Sequence, residues 1–149
     1  MSNSISQTQS GERLTFHQLF DEKGYQIQVP IIQRDYAQGR PSTLEVRSMF
    51  LDAIKSYLDE NIKNQDLDFV YGSLLNEEGQ STAKFIPLDG QQRLTTLFLL
   101  HWYLANKDNK LEEFREIIVE NNKSKFTYET RTSSSEFCDA LVTNQIDLD

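Results

Sequence analysis

Apolar side chains recur along this chain in alternating helix and strand rhythms. Residues 1–13 are rich in Ser, Gln and Asn and show no apolar period, which predicts a flexible N-terminal arm. Thr15 with Gln18 three residues on has capping-box spacing and opens a short helix bearing Phe16, Leu19 and Phe20, which Gly24 ends. Tyr25, Ile27 and Val29 alternate with Gln26 and Gln28, the two-residue period of a half-buried strand. Beyond Pro30 a polar, turn-rich connection leads to a second capping-box pattern, Ser42 with Glu45, and to a helix predicted from Ser42 to about Asn61. Val46, Met49, Phe50, Ala53, Ile54, Tyr57 and Leu58 give that helix one apolar face, expected to pack on a sheet.

Leu67–Leu75 and Lys84–Leu88 read as antiparallel strands joined by a turn around Gly79. The pattern then switches abruptly to a helix from Gln91 to about Ala105, apolar almost all round at its end and so expected to be buried and central. A second amphipathic helix over about 110–120 turns Leu111, Phe114, Ile117 and Ile118 inward and its acidic residues to water. Lys125–Tyr128 reads as a short strand, and Ser133 with Glu136 starts a last helix with Phe137, Leu141 and Val142 inside. The sum is an α+β fold in one domain over residues 14–149: a small mixed, mostly antiparallel sheet packed by the 42–61 and 91–105 helices.

Composition narrows the partners. The 149 residues carry a net charge of −8, and neither half of the chain is basic, so indiscriminate coating of nucleic acid is not expected. A local basic cleft built from Arg34, Arg40, Arg93 and Arg131 would restore DNA binding. A single cysteine, Cys138, excludes an internal disulfide framework and a multi-cysteine zinc site. The polar opening lacks the apolar core of a signal peptide, and the longest apolar stretch, 97–105, is broken by His101. These features predict a cytoplasmic protein with no membrane partner.

Three segments carry candidate chemistry. In Asp89-Gly90-Gln91-Gln92-Arg93 a strand ends, a glycine permits close backbone approach and a helix begins, so free N–H groups and the positive helix end face whatever sits there. Arg93 adds a bidentate phosphate contact, and Asp89 is placed to orient Mg²⁺ or a water. The same residues also fit plain helix capping, with Asp89 as N-cap and Gln92 three residues on. The second segment, Val29 to Tyr36, sets Gln33 and Arg34 beside an aromatic ring after a strand. The third sets Arg131 before a run of hydroxyls at a helix start. Each of these is open to an anion site or to ordinary loop and cap chemistry. His101 on an apolar helix reads as a core histidine, His17 shows no metal-ligand spacing, and Cys138 reads as a small buried hydrophobe.

Taken in order, VPIIQRDYAQGR, FVYGSLL, FIPLDGQQRLTTLFLLHWYLA and FTYETRTSSSEFC resemble the N-terminal domain of GmrSD-type, modification-dependent restriction endonucleases, over roughly residues 14–142. The resemblance implies a fold related to ParB N-terminal and sulfiredoxin domains, and NTP binding and hydrolysis coupled to defence against modified phage DNA. It places Asp89 and Gln92 in the catalytic role, with Gln33, Arg34, Gly90, Gln91, Arg93 and Arg131 around the nucleotide and Mg²⁺ on Asp89. Val29 stands where the pattern has Ile. Family members are usually longer and often end in an HNH-type nuclease domain. This chain is therefore expected to be truncated relative to them, and DNA cleavage to belong to an effector nuclease in a longer parent chain or a partner subunit. A cap accounts for Asp89 and Gln92 but not for separated segments fitting one family, so the expectation is an NTP-binding and NTP-hydrolysing regulatory module of a restriction system. The competing expectations are a ParB-like, nucleotide-gated DNA-binding module without fast turnover and a protein-interaction domain.

Overall fold

The computed structural model describes residues 5–6, 11–30, 41–79, 82–129 and 132–144. In order these form β1 (Ile5–Ser6), α1 (Phe16–Phe20), β2 (Gln26–Val29), α2 (Leu44–Asp59), β3 (Tyr71–Leu75) and β4 (Lys84–Asp89). There follow α3 (Gln91–Lys107), α4 (Leu111–Ile118), β5 (Val119–Glu120), β6 (Lys123–Ser124), β7 (Phe126–Tyr128) and α5 (Thr132–Thr143). The fold class is α+β, as the sequence predicts. The larger sheet has the order β1-β3-β4-β2-β7, and β5 and β6 form a separate ribbon.

The chain divides into two compact units, residues 1–33 with 70–149, and residues 34–69. In the larger unit, register sorts side chains to two faces of the sheet. Ile27 pairs with Phe85 on one side and Phe126 on the other, and Val29 pairs with Tyr128. Ile27, Val29 and Phe126 are buried there with Leu94, Phe98 and Trp102 of α3, Leu111 and Ile118 of α4, and Cys138, Leu141 and Val142 of α5. Phe98 stacks on Phe126 with centroids 4.8 Å apart. The alternate positions Gln26, Gln28, Lys84 and Thr127 share the opposite, polar face.

Local chemistry explains most element boundaries. The capping box at the start of α1 forms in full: the Gln18 N–H donates to Thr15 Oγ1 and the Thr15 N–H to Gln18 Oε1. The β3–β4 antiparallel pair also forms as expected. β3 starts at Tyr71 rather than Leu67, because Asp68 sits at φ 87° and breaks the extended run. Asn121 and Asn122, at φ 52° and 60°, close the β5–β6 ribbon with the double left-handed turn that suits hairpins.

Four helix expectations are corrected. Ser42 does not cap α2: a short 3-10 turn, Pro41–Thr43, precedes the helix, and Thr43 stands at the cap position without a side-chain capping bond. No residue of α2 is buried, so its apolar face does not act as a core face. In α5, which already begins at Thr132, Leu141 and Val142 are buried as predicted, but Phe137 is 54% exposed and Cys138 takes its place on the inner face. The end of α3 is likewise less enclosed than its composition suggests, with Tyr103 and Leu104 exposed. Among the described residues, no helix is long and apolar enough to cross a membrane.

Candidate functional site

At the end of β4 the backbone passes from strand to helix within one residue. Gly90 makes the turn at φ 85°, ψ 7°, a left-handed conformation that side-chain-bearing residues avoid. A second constraint acts at the same point: a Cβ on residue 90 would stand 2.7 Å from Val70 Cγ2. Gly90 is thus the N-cap, a residue with no side chain to cap α3. The capping reading of Asp89 and Gln92 is corrected accordingly. Asp89 closes the strand, and Gln92 falls on the second helical position.

Freed from capping, the Asp89 carboxylate leans toward Arg93 one turn on, with Oδ2 3.9 Å from Nη2. The Asp89 side chain is 58% exposed and that of Arg93 only 24%, so a mostly enclosed guanidinium sits beside a mostly wet carboxylate. Gln91 folds back instead of outward. Its Nε2 donates to the carbonyls of Pro87 and Leu88, 3.0 and 3.2 Å away, and so fastens the elbow. The first ladder bond of the helix runs from the Leu94 N–H to the Gly90 carbonyl, so the amides of residues 91–93 stand ahead of the ladder.

The hydroxyls behind the elbow are ordered too. Thr95 and Thr96 donate to the carbonyls of Gln91 and Gln92, at 2.8 and 2.9 Å. With its proton so used, Thr95 Oγ1 accepts from the Tyr128 phenol 2.7 Å away, tying the start of α3 to the end of β7. Sequence reasoning did not single out Tyr128 or Thr95; the signal available was a strand-end tyrosine matched to a threonine one turn inside the motif helix.

β4, β2 and β7 run parallel, so their carboxyl ends leave the sheet along one edge. Asp89–Arg93 follows β4, the segment with Gln33 and Arg34 follows β2, and Arg131 comes three residues after β7. Carboxyl edges of parallel strands are where open sheets take up ligands. Gln33, Arg34 and Arg131 themselves lie outside the described residues, as does Arg40. The side chains brought together are therefore those of Asp89, Gln91, Arg93, Thr95 and Tyr128, with Gly90 at the turn.

The β2–β4 ladder stops short of this edge. The β2–β4 pairing covers only Gln26↔Lys84 and Ile27↔Phe85, whereas β2–β7 continues to Val29↔Tyr128 and β3–β4 to Asp89. In this register the next ladder bond would run from the N–H of residue 87 to the Gln28 carbonyl. Pro87 has no N–H, so the hydrogen-bonded ladder stops there.

The remaining reactive groups are accounted for structurally. Burial pushes the Cys138 thiol up to about 12, which makes it inert. His101 is partly buried, bonds the Leu97 carbonyl at 2.7 Å through Nδ1 and stacks on Phe16. His17 is exposed beside Asp21. A polar recess of about 350 Å³ on the other sheet face is lined by Gln26, Gln28, Lys84, Lys125 and Asp139 among others. Its Lys84 bonds Glu77 and its Lys125 the Phe20 carbonyl. Among the described residues no group of three or more His, Cys, Asp or Glu side chains could hold a metal ion.

The family model described as GmrSD restriction endonuclease, N-terminal domain, matches residues 16–149. Comparison with curated proteins and with solved structures gives no match.

Proposed function

Since the chain belongs to the family of GmrSD restriction endonuclease N-terminal domains, we propose that it serves a restriction system as a nucleotide-binding module, taking up NTP phosphates at the β4–α3 elbow. The observation that carries this reading is the elbow itself: a left-handed glycine at the carboxyl edge of parallel strands, with enclosed Arg93 beside exposed Asp89. The leading amides of α3 and the positive end of its dipole favour an anion there. Arg93, already held over the turn, supplies charge-assisted bonds to phosphate oxygens. Gln91 acts by holding the turn closed. Gln33, Arg34 and Arg131, carried by the segments that follow β2 and β7, complete the phosphate contacts in this reading.

Hydrolysis is assigned to Asp89 and Gln92. Mg²⁺ characteristically takes one or two carboxylates and fills its other positions with phosphate and water. The exposed Asp89 suits that mode, in which the cation arrives with the nucleotide. The module would act as the regulator of an effector nuclease domain in a longer chain or partner subunit, which engages the DNA.

Arg93→Ala tests the core of the proposal. Alanine favours helix, so the fold should persist, while a lost charge-assisted contact costs about 1.5–3 kcal/mol of binding. Titration calorimetry with ATP and GTP in the presence of Mg²⁺ should show affinity falling by that amount. Unchanged affinity in the folded variant removes Arg93, and with it the elbow, from nucleotide binding.

A further inference from the structure

The β3–β4 ladder is regular from Leu75↔Lys84 to Gly72↔Pro87 and then shifts, so that Tyr71 pairs with Asp89. Leu88 is the extra residue of this bulge. Such irregularities re-aim side chains, and they are frequent beside binding sites. The shift follows directly on Gly72, where the strands are so close that a Cβ would stand 2.1 Å from the Ile86 carbonyl oxygen.

Two large apolar side chains are left in water here, Tyr71 at 61% and Leu88 at 52% exposure. The same unit of the molecule buries Phe20, Phe98 and Phe126 almost completely. By alternation along β3, Tyr71 lies on the sheet face of Ser73 and Leu75, whose partners are Ile86 and Lys84, away from the core. Across the ladder it is one strand spacing, ~4.8 Å, from the last residue of β4. An exposed aromatic ring therefore adjoins the turn that carries Asp89, Gly90 and Arg93. A nucleotide presents the matching pair of surfaces, a charged phosphate tail and a flat base with an apolar face.

We infer that Tyr71 is the stacking platform for the base of the nucleotide, with Leu88 flanking it; this rests on the reading of the elbow as a phosphate site. The phosphates lie over the carboxyl edge of the sheet, and the base turns back along β3. Stacking on an aromatic face tolerates any base, so Tyr71 contributes affinity for nucleotides over bare polyphosphate without choosing between purines.

The experiment titrates the full 149-residue chain, in Mg²⁺, with three probes: ATP, GTP and inorganic triphosphate. Tyr71→Ala should weaken ATP and GTP by about 5- to 100-fold and leave inorganic triphosphate unchanged. Tyr71→Phe keeps the ring and should bind all three like the parent chain, while Tyr71→Leu should behave like the alanine variant. Nucleotide affinity unchanged in Tyr71→Ala overturns the platform and leaves the elbow reading standing. So does an equal loss for triphosphate and nucleotides, or a leucine variant that binds as well as phenylalanine. If the parent chain binds none of the probes, both readings fall together.

Discussion

Asp89 shows how one backbone angle reassigns a side chain. A carboxylate immediately before a left-handed glycine cannot reach the helical amides as a cap would, and its charge is left facing water and Arg93. An ion pair this exposed contributes little to stability. Asp89→Asn should therefore leave the melting temperature close to that of the parent chain. The part of nucleotide affinity that depends on Mg²⁺ should fall, because the amide keeps the shape and loses the charge. Titration with and without Mg²⁺ checks this; an undiminished Mg²⁺ effect would take the cation away from Asp89. The motif itself was legible in the sequence, since strand, glycine and helix rhythm meet there. Its register was not. The capping-box spacing of Asp89 and Gln92 fits the letters equally well, and only the φ of Gly90 decides between the two.

At the scale of elements, the α1–α3 contact has a pH dependence that follows from His101. Burial disfavours the imidazolium and holds the pKa below the ordinary 6.5, outweighing the opposing bond to the Leu97 carbonyl, with His17 adding slightly to the lowering. As pH falls the unfolded chain takes up the proton first. Stability is therefore whole above 6.5 and declines as pH drops from there through the lower folded value. His101→Phe retains a ring against Phe16, now 4.5 Å from the histidine centroid, and removes the titration. Thermal melts across this range should show a flatter profile for the variant; an identical slope would assign the effect elsewhere. Elements with strong periodicity were legible, as with β2, whose Ile27 and Val29 are buried. The β5–β6 ribbon was not, because two-residue strands have no period, and its one clue was the Asn121-Asn122 pair. The apolar face of α2 was legible as a pattern but not as core, since periodicity reports which side chains share a face and not what covers them.

For the molecule as a whole, the core residues are drawn from α1, β2, α3, α4, β7 and α5, all in the larger unit, while α2 belongs to the smaller one and buries none. Native-state hydrogen exchange should resolve this difference. Amides of β2 and α3 should exchange only through global unfolding, and those of α2 through local opening at lower cost. Equal protection in all three would mean that the two units open as one. The parallel placement of β2 between β4 and β7 was not legible, because alternation fixes a strand's faces and is silent about neighbours far along the chain. That placement is what brings the carboxyl ends of β4, β2 and β7 to one edge. The gap that Pro87 leaves in the β2–β4 ladder bears on kinetics. At that position a molecule arriving at the sheet's carboxyl edge meets a β2–β4 pair with no backbone hydrogen bond to break. Its capture then needs no unzipping of that pair.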